Sequence, residues 1–150
     1  MQSLLTRDEC RLVQASFAQV EPIADRVAAT FYRRLFELDP GLRPLFKIDL
    51  RQQGVKFMEK LAVAVTALEN LDSIATLVQA LGRRHAEYGI AAEDYDTARV
   101  ALLFALGDAL GPSFDNSLRD AWAGAFETLS AEMIRAAEDT PHPRITRLRP

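Results

Sequence analysis

The chain has 150 residues, enough for one domain with a sizeable hydrophobic core. Hydrophobic residues make up 49% of it and charged residues 26%, which are ordinary fractions for a soluble globular protein. The net charge of −3 offers no electrostatic footprint for a nucleic acid, and the single cysteine, Cys10, excludes an internal disulfide.

The predicted elements are all helical, and prolines fall between them, where helices should begin or end. Thr6 and Glu9 form a capping box at the start of the first helix, and Pro22 occupies a favoured first-turn position of the second. No stretch alternates as a β-strand flanked by hairpin signals. The predicted helices span residues 6–20, 22–38, 51–67, 72–87, 93–110 and 116–138, and a short turn-rich piece covers 39–46.

The fourth predicted helix carries an apolar stripe that contains a histidine. The stripe consists of Ile74, Leu77, Val78, Leu81, His85 and Tyr88, and Gly89 is placed to terminate the helix. The fifth helix is apolar nearly all round, so we expect it to be central in the fold. Trp122 of the sixth helix should lie in the core.

His85 is one of two histidines, and the other, His142, lies far along a proline-rich tail. A lone histidine on an apolar face is either a packed core residue or a ligand. A structural zinc ion needs four ligands, and the sequence offers no other cluster of histidine and cysteine residues. A single histidine is sufficient when the metal arrives in a macrocycle that supplies four nitrogens, as in haem.

Three segments together resemble the globin family, in particular bacterial single-domain haemoglobins, the globin domain of flavohaemoglobins and neuroglobin. FYRRLFELDPGLRPLF, residues 31–46, is similar to their second helix and the following corner. LGRRHAEYG, residues 81–89, is similar to their proximal segment, and residues 109–122 are similar to their last inter-helix turn. The resemblance covers about residues 6–137. It implies an all-α globin fold, a three-on-three sandwich of about seven helices, that binds haem b.

The resemblance also implies which residues form the haem site. His85 is the implied proximal iron ligand, and Tyr32 and Gln53 are the implied distal residues that bind the gas. Pro40 would start the short third helix. The residues implied to contact the haem are Phe46, Lys56, Phe57, Leu81, Arg84, Ile90, Tyr95 and Leu102. Among these, Lys56 and Arg84 could each reach a haem propionate.

Both implied distal side chains are hydrogen-bond donors. Dioxygen bound to haem iron carries partial negative charge, which the Tyr32 hydroxyl and the Gln53 amide could stabilise by on the order of 1 kcal/mol each. Glutamine is a poor iron ligand compared with imidazole. We therefore expect iron that is five-coordinate or water-bound at rest, unlike in neuroglobin.

The proximal side departs from the pattern of the flavohaemoglobins, which pair the proximal histidine with a tyrosine and a glutamate. Tyr95 matches the tyrosine, but Ala137 stands at the glutamate position, with Glu138 one step along. One step rotates a helical side chain by about 100°. We therefore expect the complete relay to be missing, and His85 to donate its second ring N–H to a backbone carbonyl one turn earlier.

The resemblance leaves several functions open. The first is a protein that binds oxygen reversibly, for storage, delivery or buffering, and that could also bind nitric oxide or carbon monoxide. The second is a nitric oxide dioxygenase, which would need a separate reductase because the chain has no GxGxxG motif. The third is a haem-based gas sensor. A globin-like fold that has lost haem is the fourth, and His85 argues against it.

We expect one haem domain over residues 1–138 and a proline- and arginine-rich tail over 139–150. The tail could be a loose terminus, a docking peptide or a severed linker. The longest apolar run, residues 100–106, is far too short for a membrane span, and no secretory signal is visible. These observations favour a cytoplasmic monomer or homodimer without a membrane or nucleic-acid partner.

Overall fold

The computed structural model describes residues 4–47 and 49–138, and within them the chain forms six α-helices and no β-strand. The helices are α1 (Arg7–Val20), α2 (Ala24–Leu38), α3 (Leu50–Thr66), α4 (Ala75–Glu87), α5 (Ala92–Leu110) and α6 (Asn116–Glu138). Short 3₁₀ segments occur at Glu21–Ile23, Pro40–Leu45, Leu68–Ile74 and Gly111–Ser113. The all-helical prediction is confirmed, and the turn-rich piece after α2 is the 3₁₀ segment that begins at Pro40.

Three helices begin at side chains that cap free backbone N–H groups. The Thr6 hydroxyl accepts from the Glu9 N–H at 3.1 Å, and the Glu9 carboxylate accepts from the Thr6 N–H at 3.0 Å. The predicted capping box of α1 is therefore formed. Asp49 and Asp115 cap α3 and α6 by accepting from N–H groups of the first turn.

The most extensive helix contacts join α4 to α6, α2 to α5 and α2 to α3, and α6 also contacts α1 and α5. The largest fully buried side chains come from α1, α2, α5, α6 and two of the 3₁₀ segments: Trp122, Leu42, Leu68, Leu102, Leu106, Val13, Val20 and Val27. Each such side chain contributes about 1.5–3 kcal/mol by leaving water, so this core holds the helices together. The prediction that Trp122 lies in the core is confirmed.

The predicted stripe of α4 is buried only in part. Val78 of the stripe is buried, as is Gly82, whereas Leu77 is 53% exposed and Tyr88 is 57% exposed. The reason is the close approach of α4 to α6 at Gly82, where an added Cβ would lie 2.4 Å from the carbonyl oxygen of Met133. Leu77 precedes Val78 by one residue, about 100° around the helix, and so it points away from α6.

The prediction of a central α5 holds for the side of the helix that packs against α2 and α6. Its opposite side is open to solvent at Val100 and Phe104, which are 43% and 42% exposed. Among the described residues no single helix is long and apolar enough to cross a membrane; α3 and Leu68–Glu87 reach that only as a pair bent by 111°. The predicted tail, residues 139–150, lies outside the described residues.

Candidate functional site

Five aromatic rings from α2, α3 and the corner between them form one cluster. Phe31 and Phe57 stack almost parallel, with ring centroids 4.4 Å apart and planes 8° apart. Tyr32 meets Phe46 edge-on at 5.6 Å and Phe57 at 6.1 Å. Phe36 packs against Tyr32 at 6.0 Å and against Phe46 at 5.5 Å. The structure thus brings together three of the residues predicted for the site: Tyr32, Phe46 and Phe57.

The Tyr32 side chain meets Gln53 beside this cluster. Tyr32 is 4% exposed, and its burial raises the pKa of the phenol to about 12, while the neighbouring Gln53 side chain acts in the opposite direction. The phenol is therefore protonated at neutral pH and able to donate. Gln53 is half-buried on α3, four residues before Phe57 and on the same side of that helix. The two predicted distal residues therefore lie side by side.

His85 lies in the last turn of α4, with its ring next to α5. Its Nδ1 atom is 3.2 Å from the Tyr95 hydroxyl. The structure gives Nδ1 this hydroxyl as its partner in place of the predicted backbone carbonyl one turn earlier, because the ring lies against the first turns of α5. Gly89, at a φ of 97°, ends α4, and the chain turns back so that Tyr95 falls in the first turns of α5. With Nδ1 engaged, Nε2 is the ring nitrogen left to bind a ligand.

The His85 ring is neutral at physiological pH. Burial, followed by the positive charges of Lys60 and Arg84, lowers the pKa of His85 from 6.5 to about 4. A neutral imidazole has the lone pair that a metal ion needs. The described part of the chain contains no group of three or more histidine, cysteine or acidic side chains that could hold a metal ion. A metal ion at His85 must therefore bring its other ligands with it.

Helices α3 and α4 approach each other at Lys60 and Arg84, yet they are not among the closely packed helix pairs. We call the space between these two helices the slot. Several apolar side chains on the helices and on the segments next to them are half-buried: Phe46, Phe57, Leu61, Leu81 and Ile90. Lys56 and Arg84 are each close enough to repel the charge of Lys60, so one edge of the slot is positively charged. An apolar slot with one neutral imidazole and a cationic edge fits a flat macrocycle that carries iron and two carboxylates.

Lys60 was not among the residues predicted from the sequence. It follows Lys56 by four residues and Gln53 by seven, so the three lie on one side of α3. That spacing was a signal that could have identified it.

The remaining residues predicted for the haem site lie in different surroundings from one another. Ile90 lies directly after the turn and donates its N–H to the His85 carbonyl at 3.0 Å. Leu102 is 1% exposed and lines a small apolar cavity between α3, α5 and α6. At the end of α6, Ala137 is half-buried and Glu138 is exposed, and neither has a hydrogen bond to Tyr95 among the described residues. The absence of a complete relay therefore stays a prediction.

The fold and the slot define a class, an all-α protein with a single-histidine site for a planar cofactor that carries a metal. The sequence profile described as Globin matches residues 29–133 of this chain. The chain belongs to the globin family, whose members bind haem and gaseous ligands such as oxygen.

Similar proteins include a vertebrate globin and two bacterial flavohemoproteins. The chain is 29% identical to neuroglobin of Danio rerio over 118 residues, which cover 69% of this chain and 74% of that protein. It is 30% identical to a flavohemoprotein of Bordetella pertussis over 135 residues, 87% of this chain and 33% of that protein. For a flavohemoprotein of Vibrio cholerae the identity is 22%, over 87% of this chain and 34% of that protein. The chain thus spans about a third of the length of either flavohemoprotein.

Two solved structures share the fold. One is an engineered carbene transferase derived from a proposed nitric oxide dioxygenase of Rhodothermus marinus, with a TM-score of 0.82, 25% identity and coverage of 90% of this chain and 94% of that one. The other is a bacterial globin from Campylobacter jejuni, with a TM-score of 0.80, 20% identity and coverage of 89% and 97%. The predicted globin fold is confirmed by these comparisons.

Proposed function

We propose that the chain binds haem b through Nε2 of His85 and binds oxygen reversibly on the side of Tyr32 and Gln53. The observation that supports this most is the state of His85, a neutral ring whose Nδ1 is engaged by Tyr95. Ferrous haem, when bound, supplies the iron to which a diatomic gas attaches. Lys56 and Arg84 supply positive charge for the two propionates.

In this proposal Tyr32 and Gln53 retain the gas. The Tyr32 hydroxyl and the Gln53 amide donate hydrogen bonds to an oxygen atom that carries partial negative charge. Each bond contributes about 1 kcal/mol, so two of them slow the release of oxygen. The rings of Phe46 and Phe57 shield Tyr32 from water, which strengthens its hydrogen bonds. Because glutamine is a poor iron ligand, the sixth position is open or holds water at rest.

Visible absorption spectra of the ferric, ferrous and oxygen-exposed protein test this proposal. We expect a Soret band in the wild type and in Tyr32→Phe, and its loss in His85→Ala. A wild-type protein that takes up no haem, or a Soret band that persists unchanged in His85→Ala, would refute the assignment.

A nitric oxide dioxygenase is the second candidate, and the resemblance to two flavohemoproteins favours it. The reaction would combine nitric oxide, dioxygen and one electron into nitrate. Tyr32 and Gln53 would hold the dioxygen, and a separate reductase would provide the electron. Nitrate formed over many turnovers with a general reductase supports this activity, whereas a single turnover per haem supports oxygen storage or delivery alone.

The cellular role that we propose is oxygen storage or delivery in the cytoplasm. The buried free thiol of Cys10 is compatible with that reducing compartment. A role as a gas sensor, in which residues 139–150 lead to or dock on an output module, concerns a segment outside the described residues.

A further inference from the structure

A local excess of positive charge occurs in the first part of α3 and in the corner before it. All three lysines lie between residues 47 and 60, and the segment 43–60 contains five lysine and arginine residues against two acidic ones. The whole chain has a net charge of −3. The segment therefore has a local positive excess in a protein that is otherwise acidic.

Lys56 lies one turn before Lys60 on α3, and Arg84 of α4 is close enough to act on the charge of Lys60; we call these three cations the cationic edge. All three side chains are exposed, and none forms an ion pair among the described residues. Burial lowers the pKa of Lys60, and repulsion from Arg84 and then from Lys56 lowers it further, against the opposing effect of Glu59. The fold thus holds like charges together without neutralising them.

Elsewhere on the surface several arginines have carboxylate partners. The Arg26 guanidinium lies 3.1 Å from the Asp108 carboxylate, and the Arg99 guanidinium lies 2.8 Å from the Glu127 carboxylate. A cluster of unpaired like charges destabilises a folded chain, so its presence beside the haem slot calls for an anionic partner. The two haem propionates would neutralise two charges. The cationic edge has three, and Lys47 adds a fourth exposed cation in the preceding corner.

We propose that the cationic edge is the docking surface of a one-electron donor protein with an acidic surface. The inference rests on the proposed function, in which iron must be kept ferrous by a separate protein. The reduced cofactor of the donor loses one electron, and ferric iron gains it and becomes ferrous. Opposite charges steer such short-lived encounters and raise their rates by about ten- to a thousand-fold. A lipid surface would also attract the cations, but it supplies no electron.

The test uses variants of Lys60, because the proposed function assigns Lys56 and Arg84 to the haem propionates. The probe is reduced flavodoxin, a small acidic flavoprotein, and the readout is the rate at which it reduces the ferric wild type, Lys60→Gln and Lys60→Glu. Each rate is divided by the rate with a small neutral reductant, so that any change in reduction potential cancels. Arg119→Glu is the control, since it changes the net charge as Lys60→Glu does. It lies near the start of α6, about 20 Å along that helix from the contact of Met133 with α4.

We expect Lys60→Glu to lower the normalised rate about ten-fold at low salt, with Lys60→Gln between it and the wild type. The difference should disappear in high salt, and Arg119→Glu should behave as the wild type. Equal rates for the wild type and Lys60→Glu, or an equal loss in Arg119→Glu, would overturn the proposal.

Binding of oxidised flavodoxin, measured by calorimetry, tests the docking surface separately from the proposed haem binding. It is measured with both haem-loaded and haem-free protein. Salt-sensitive binding that weakens in Lys60→Glu supports the docking surface even if haem is not taken up. Faster haem loss in Lys60→Glu with unchanged flavodoxin binding would assign Lys60 to the propionates and overturn the docking surface. If the protein binds vesicles that contain phosphatidylserine but does not bind flavodoxin, the docking surface is also overturned.

Discussion

The Nδ1 atom of His85 and the hydroxyl of Tyr95 lie 3.2 Å apart, and this contact joins α4 to α5 across the turn at Gly89. Burial, with a smaller effect from the charge of Asp94, raises the pKa of Tyr95 to about 12. The phenol is therefore a neutral partner at any physiological pH. The contact fixes the plane of the imidazole and decides which ring nitrogen is available, and both properties bear on how tightly an iron ion is held.

Replacing Tyr95 by phenylalanine should weaken haem binding. The ring still fills its place, but Nδ1 loses its partner, so the imidazole becomes a weaker and less well oriented ligand. Loss of such a partner typically lowers metal affinity by about ten- to a hundred-fold. The rate of haem transfer to an excess of a haem-binding acceptor protein measures it. Tyr88→Phe, at a tyrosine that is 57% exposed, is the matched control, and equal rates in the two variants would contradict this role.

Replacing Tyr32 by phenylalanine should speed the release of oxygen. The variant removes one hydrogen bond worth about 1 kcal/mol, which corresponds to about a five-fold faster dissociation. Flash photolysis or stopped-flow mixing measures the rate.

The partner variant Gln53→Leu should have a similar effect. Because the Tyr32 and Gln53 side chains are neighbours, the double variant should differ from the product of the two single effects. An oxygen dissociation rate that is unchanged in both single variants would remove these residues from the proposed gas site.

The helices were predictable from the sequence because capping, proline placement and apolar periodicity all act locally. The capping box at Thr6 and Glu9 formed as predicted, and the buried Trp122 is in the core. The boundary before α4 was less predictable. Asn70 has non-helical dihedral angles inside Leu68–Ile74, so α4 begins at Ala75 and not at 72. Neither proline nor glycine marks this kink in the sequence.

The candidate site was predictable in its aromatic and polar members, since Tyr32, Gln53 and His85 were identified by resemblance to a family. The hydrogen-bond partner of His85 was not predictable from the sequence. The direction of the imidazole ring depends on the turn at Gly89 and on where α5 begins. The exposure of Leu77 was also missed. It follows from a backbone contact at Gly82 that involves a helix about 50 residues away in the sequence.

The haem-free protein should lose stability in acid because of His85. Its pKa is about 4 when folded and about 6.5 when unfolded, so between these values the unfolded chain binds a proton that the folded one does not. The free energy of unfolding should therefore fall as the pH drops from 6.5 to 4, by at most about 3 kcal/mol, since partial exposure of the ring reduces the effect. Urea unfolding at pH 7 and pH 4.5 measures it. His85→Gln should lose this part of the pH dependence, and an identical dependence in both proteins would contradict the prediction.

Gly82→Ala should destabilise the protein, although alanine favours a helix over glycine by about 1 kcal/mol. The new Cβ would lie 2.4 Å from the backbone carbonyl oxygen of Met133, so α4 and α6 would have to move apart. Overpacking of this kind costs about 1–3 kcal/mol, and because His85 is three residues further along α4, haem loss should also accelerate. Gly124→Ala is the matched control, since its Cβ would meet only the tip of the Leu5 side chain at 2.9 Å, which can turn aside. Urea unfolding of the two variants measures the contrast, and equal unfolding free energies would show that the contact at Gly82 does not limit the packing of α4.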